Sequence, residues 1–128
     1  MENRKNTGQE GKIGRHGEDL VCRHLLGCGH TILERNWRSG HLEIDIISMD
    51  SQGIHFVEVK SRRTPLMSDP VESVDTGKQK RIAAAASRYM KTHDTGDREC
   101  FFDVATVTFD GKTTELRYYP HAYIPVYV

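Results

Sequence analysis

The stretch "EIDIISMDSQGIHFVEVK", residues 43–60, reads as two strands folded back around a tight turn, with Asp50 and Gly53 as its turn residues. Both strands are apolar enough for a sheet interior, yet they carry Glu43, Asp45, Glu58 and Lys60. Side chains alternate across a strand, so Glu43, Asp45 and Ile47 share one face of the first strand, and Phe56, Glu58 and Lys60 share one face of the second. With Ser51 and Gln52 at the tip, position 47 lies opposite 56, 45 opposite 58 and 43 opposite 60. Directly opposed carboxylates cost about 0.2–1 kcal/mol even when exposed, and burial keeps one of them protonated. A divalent cation between Asp45 and Glu58 relieves the repulsion, and hard oxygen donors are what Mg²⁺ prefers. Lys60 projects from the same face.

The alternation alone is equally satisfied by a Glu43–Lys60 ion pair on a solvated face, which contributes little. Two features weigh toward a covered site. Ile44, Ile46, Val57 and Val59 form an opposite face that needs a core, and Ile47, Ile54 and Phe56 require cover on the charged face as well.

Outward from this hairpin, the chain has 128 residues, 28% of them charged, with a formal net charge of zero. That length suits one domain. We read residues 1–12 as a flexible tail and 13–128 as a single domain. No apolar run reaches the roughly 20 residues needed to span a bilayer, and the polar start "MENRKNTGQEGK" lacks the apolar centre of a signal peptide. The three cysteines make no paired framework and read as reduced thiols, so a cytoplasmic location is expected. Zero net charge means that any nucleic-acid surface must be local.

A helix is predicted from Gly14, with Val21, Cys22, Leu25 and Leu26 at helical spacing and "GCG" at 27–29 as its stop. "TILERNWR" (31–38) is a first strand, with Trp37 as a core residue. "HLEIDIIS" and "IHFVEVKS" are the second and third. "RRTPLMSDPVESVDTG" has two prolines and no periodicity; so long a connection is functional or mobile, and its Thr64–Asp75 part is expected to act as a flap. A second helix carries Ile82, Ala85, Ala86, Tyr89 and Met90 as its core stripe. "FFDVATVTF" and "TELRYYP" are two further strands around Asp110-Gly111. The order α-β-β-β-α-β-β predicts an α/β fold, a central mixed sheet flanked by helices.

The spacing Asp45, twelve residues, Glu58-Val59-Lys60 resembles the PD-(D/E)xK nuclease motif of the restriction-endonuclease-like superfamily. More closely, "GRHGEDLVCRHLLGCGHTILERNWR…EIDII…FVEVKSR" is similar to the YraN-like family, an uncharacterised bacterial family related in fold to Holliday-junction resolvases. The resemblance covers about residues 14–109 and implies a restriction-endonuclease-like fold. It further implies that Asp45 and Glu58 are metal ligands, that Lys60 is the catalytic lysine, and that Glu18 of "GRHGE" is the acid contributed by the first helix. Glu43 matches the acid of the family's "GEID", with Leu42 here where glycine is usual, and is expected to support the ligands from behind. The implied activity is Mg²⁺- or Mn²⁺-dependent phosphodiester hydrolysis by a nuclease-like protein acting on structured DNA. The alternative is a nucleic-acid-binding or adaptor module of the same fold with weak or no catalysis.

Several residues keep two readings. Glu18 also fits a carboxylate favoured near a helix N-terminus. "TGKQKRIAAAASRYMKTH" (76–93) holds five Lys or Arg and no acid. Lys78 and Gln79 are placed to face the site, with Gln79 beside the ligands, and Lys80 and Arg81 to face outward. Arg62 and Arg63 extend the patch. Contact with phosphates is the functional reading of these cations, and a solvated helix face the ordinary one. Cys22-x-His24 and Cys28-x-His30 suggest zinc, but residues two apart on a helix point about 200° apart. Asp103 is expected to be a charge partner for a neighbouring helix. The tyrosines of "RYYPHAYIPVYV" suit base stacking or packing across the sheet or against another subunit. A homodimer would suit a two-fold junction substrate.

Overall fold

The computed structural model describes residues 4–64 and 76–124, with side chains from residue 11 onward. The elements are α1 (Arg4–Gly27), β1 (Thr31–Ser39), β2 (Leu42–Met49), β3 (Gly53–Arg63), α2 (Thr76–Thr92), β4 (Glu99–Asp110) and β5 (Thr113–Tyr119). One five-stranded sheet runs β1-β2-β3-β4-β5. Its β3–β4 pair is parallel, with α2 lying between the two in the chain, and its other pairs are antiparallel. Among the described residues the fold is therefore α/β, with a mixed sheet and two helices. The flap expected over Thr64–Asp75 falls on residues 65–75, outside the described residues, as do the last four residues of the tyrosine-rich tail.

The helices cover opposite faces. Val21, Cys22 and Leu25 of α1 pack on Ile46, Val57, Ala105 and Val107. On the other face Ile82, Ala85, Ala86 and Tyr89 of α2 pack on Ile44, Ile47, Ile54, Phe56 and Phe102, with Trp37 against this cluster. Burying a Leu, Ile or Phe side chain contributes about 1.5–3 kcal/mol, so the two clusters hold the three layers together. The stripe read on the second helix is the buried one, except that Met90 is only half-buried.

Helix α1 begins at Arg4 and not at Gly14, so residues 4–12, read as a tail, belong to it. Glycines at 8, 11, 14 and 17 hid this start, each weakening a helix by about 1 kcal/mol relative to alanine. Gly17 is there for packing: a Cβ would lie 2.0 Å from Ser61 Oγ on β3. The C-terminus ends where expected, in a Schellman motif. His30 N–H donates to Leu25 C=O (2.9 Å), Gly29 N–H donates to Leu26 C=O (3.1 Å), and Gly29 takes φ +92°.

Candidate active site

Strands β2 and β3 pair in the expected register from Met49–Ile54 through Ile47–Phe56 to Ile46–Val57, and there the ladder stops. Positions 45 and 58, and 43 and 60, are not ladder partners, which corrects the full register drawn from the sequence. The cause is Asp45 itself. Its Oδ2 accepts the Val59 N–H at 2.8 Å, taking a backbone donor of β3 onto a side chain. The alternation of β2 changes phase at the same point. Ile44, expected beside Ile46, packs instead on the α2 side with Ile47, while Ile46 stays on the α1 side. The sheet forks, and a cavity of about 180 Å³ lies beside the fork, lined by His41, Leu42, Glu43, Asp45, Glu58, Lys78, Arg81 and Ile82.

Asp45 and Glu58 share this cavity. Burial, followed by the charge of Glu58, pushes the Asp45 carboxyl up to about 8, so it keeps its proton at neutral pH. Glu58 is 8% exposed and Lys60 9%. Lys78 Nζ lies 2.5 Å from Glu58 Oε1, and Lys60 Nζ lies 3.5 Å from the same oxygen. Burial pushes the Lys60 ammonium below its usual range, helped by the hydrogen bond from Lys78. Burial opposes the charge of Lys78, but its bonds to Glu58 and Lys60 outweigh that and raise it. Two lysines from different elements thus converge on one buried carboxylate.

Of the other residues singled out in the sequence, Glu43 and Arg81 line the same cavity. Glu18 is half-buried, and its Oε1 accepts from Asn36 Nδ2 (3.1 Å) and lies 3.7 Å from Arg35. Burial raises its carboxyl, and its charge in turn raises Asp45. Asn36 and Arg35 were not foreseen. The available signal was Asn36, a residue type that tolerates the left-handed conformation it adopts in β1 (φ +51°). Glu43 lines the cavity but is exposed, and it accepts from Arg38 Nε at 3.0 Å, not from Lys60. Gln79 is half-buried on the first turn of α2, Lys80 and Arg81 are exposed, Arg62 is half-buried and Arg63 exposed. Arg63 lines a second, wider opening of about 390 Å³ with Lys12, His16 and Phe109.

A second polar group lies on the α1 face. His55 Nδ1 is 2.7 Å from Asp103 Oδ2, and His55 Nε2 is 2.9 Å from Asp50 Oδ1. Asp103 is fully buried; it also accepts from the Tyr118 hydroxyl and, at 2.9 Å, from the His121 N–H. Its partners are thus on β3, on β5 and just beyond β5, which corrects the expectation of a helical partner. Burial opposes ionisation of both members of the pair. The hydrogen bonds nevertheless hold His55 above its ordinary range and Asp103 below its own.

An α/β domain whose central strands part around a carboxylate and lysine cleft is the class of protein that this fold and site define. Residues 17–107 match the uncharacterised protein family UPF0102, and the chain belongs to that family. It is 41% identical over 102 residues to a UPF0102 protein of Oleidesulfovibrio alaskensis, across 80% of this chain and 50% of that one, so it spans half the length of this relative. It is 42% identical over 103 residues to a UPF0102 protein of Chlorobium limicola, across 80% of each chain. With a UPF0102 protein of Bacteroides thetaiotaomicron it shares 34% over 117 residues, covering 91% and 96%. A solved protein of unknown function from Silicibacter pomeroyi is similar at 18% identity and a TM-score of 0.35, over 83% of this chain and 68% of that one, too distant to bear on the fold. Among the described residues no helix is long and apolar enough to cross a membrane.

Proposed function

We propose that this chain is a metal-dependent, nuclease-like protein of the PD-(D/E)xK kind that hydrolyses phosphodiesters in structured DNA. The observation that carries the reading is the convergence of Asp45, Glu58, Lys60 and Lys78 where β2 leaves β3. Mg²⁺ or Mn²⁺ fits the donor set, because two hard carboxylates meet there and the charge of Glu58 adds to burial in raising the Asp45 carboxyl, a repulsion that a cation between them would relieve. Asp45 and Glu58 would hold the ion, with Glu18 as the third acid. When bound, such an ion supplies charge stabilisation at the phosphoryl oxygens and acidifies water. Lys60, buried and pushed toward its neutral form, is suited to move a proton at the scissile phosphate. Lys78 holds Glu58 in place. Exposed Lys80, Arg81 and Arg63, with Arg62, offer contacts to the phosphate backbone that do not depend on base sequence.

One observation favours the alternative. The 2.5 Å Lys78–Glu58 contact already offsets the charge of Glu58, as a nucleic-acid-binding module without catalysis would have it.

A panel of duplex, single-stranded, flap and four-way-junction DNAs with Mg²⁺ or Mn²⁺ separates the two readings, read beside thermal melts. The hydrolase should cleave at least one substrate. Mg²⁺ at 100 times its dissociation constant should stabilise it by about 2.7 kcal/mol. Asp45→Asn should lose that stabilisation, while Lys60→Ala keeps it and loses cleavage. DNA binding with neither cleavage nor a Mg²⁺ effect would establish the adaptor. Equal Mg²⁺ shifts in the parent and Asp45→Asn would remove the metal site, and no DNA binding at all would overturn both readings.

A further inference from the structure

On the α1 face of the sheet, away from the carboxylate cleft, two imidazoles turn toward one carboxylate. His55 Nε2 lies 2.9 Å from Asp50 Oδ1, and His30 Nε2 lies 3.4 Å from Asp50 Oδ2. The two rings are 4.7 Å apart between centroids, and one ligating atom from each of the three residues can be chosen so that all lie within 4.8 Å of one another. A tetrahedral ion with bonds of about 2.0–2.1 Å separates its donors by about 3.3 Å, so small adjustments would close the group around a cation.

The ion would take the place of the proton shared by His55 Nε2 and Asp50 Oδ1, which binding releases, and the outer nitrogens are already held. His55 Nδ1 meets Asp103 Oδ2 at 2.7 Å, and His30 Nδ1 meets the hydroxyl of the fully buried Ser48 at 2.9 Å. Histidines that bind metals have this support, an outer ring nitrogen bonded to a carboxylate or other polar group that directs the inner one at the ion. The three residues come from different elements: His30 follows the glycine stop of α1, Asp50 lies in the β2–β3 turn and His55 is in β3. Asp50 keeps 21% side-chain exposure, which leaves a route from solvent.

We propose that His30, Asp50 and His55 form a binding site for a divalent transition ion of the zinc class, one that ties the end of α1 to the β2–β3 turn. Imidazole donors select such ions over Mg²⁺, so this centre and the Asp45–Glu58 cleft take different metals. Of the residues in the Cys28-x-His30 pattern, His30 is grouped with Asp50 and His55. Cys28 Sγ lies 3.7 Å from His24 Nε2, which makes that exposed pair the competing ligand set.

The test uses the full chain freed of metal by a chelator and titrated with Co²⁺, followed by its visible d–d absorption. With excess Mg²⁺ present to fill the carboxylate cleft, the d–d band should saturate at one ion per chain, Zn²⁺ should displace it, and the melting temperature should rise by several degrees. His30→Gln should weaken Co²⁺ binding at least about tenfold, and Ser48→Ala should weaken it by about 10-fold through its support of His30. Asp45→Asn and Cys28→Ser should leave it intact. The proposal falls if no d–d band forms up to about 1 mM Co²⁺, if His30→Gln leaves the band unchanged, or if Cys28→Ser abolishes it. Should His30→Gln fail to fold, nitrogen NMR of the parent with Zn²⁺ decides. The Nε2 signals of His30 and His55 should shift while those of the other five of the seven histidines do not, and unmoved His30 and His55 signals overturn the assignment.

Discussion

On one face of β3, His55 is bonded on both sides to carboxylates, and those bonds drive His55, Asp50 and Asp103 toward their charged forms against the cost of burial. On the other face, three and five residues along, Glu58 and Lys60 sit beside Asp45, and here Asp45 and Lys60 are both driven toward their neutral forms. The same strand therefore carries one group of buried charges whose ionisation is stabilised and one whose ionisation is resisted. The first arrangement adds to folding stability. The second costs stability, and groups shifted in that sense are more often kept for chemistry or ligand binding than for structure.

The largest effect should come from the satisfied side. Asp103→Ala leaves His55, Tyr118 and the His121 N–H without their shared acceptor, so urea unfolding should register a loss of about 3–5 kcal/mol, as for one member of a buried pair. A loss below about 1 kcal/mol would mean that the two faces do not differ in the way described.

A smaller effect of opposite sign is expected across the strand. In chelated protein the Asp45 carboxyl is protonated in the folded state up to about 8, against an ordinary value of 3.8. Between these values the folded state holds more protons than the unfolded state, so stability attributable to this group is fully present below about pH 4. It declines as pH rises toward 8. Asp45→Asn abolishes that decline and should be more stable than the parent at pH 8 by about 2 kcal/mol, a figure discounted because the carboxylate opens onto the cavity. Melts at pH 5 and pH 8 would check it. A variant that loses more stability than the parent as pH rises would return Asp45 to an ordinary structural role.

The smallest effect on folding, within about 0.5 kcal/mol, is expected for the joint Lys80→Ala and Arg81→Ala change, since both side chains are exposed. Binding should respond instead. Affinity should fall for all DNA sequences alike, and the salt slope should drop by about two, roughly one per lost phosphate contact. An unchanged slope removes α2 from the binding surface.

The order of elements was legible because strand alternation and the Ile82–Tyr89 stripe are local patterns, readable within a few residues. The β2–β3 register was legible as far as Ile46–Val57, since the turn fixes it. The fork beyond was not, because it rests on a side-chain bond from Asp45 to a backbone N–H fourteen positions away. The partnership of His55 with Asp103 was hidden more deeply. It spans 48 positions and follows from the parallel register that sets Val57 beside Asp103. Asp45, Glu58 and Lys60 could be singled out because charge is conspicuous in an apolar strand. Their grouping with Lys78 depends on how α2 settles on the sheet.

The early end of the β2–β3 ladder divides the one five-stranded sheet into two plates joined by a short hydrogen-bonded seam. β1 and β2 are laced along most of their length, as are β3 and β4, while the seam between the plates runs only from Met49–Ile54 to Ile46–Val57. Asp45 rides on one plate, and Glu58 and Lys60 ride on the other. The gap between the two carboxylates is then governed by the angle of this seam as well as by side-chain rotamers, and anything that draws the carboxylates together pulls on the sheet.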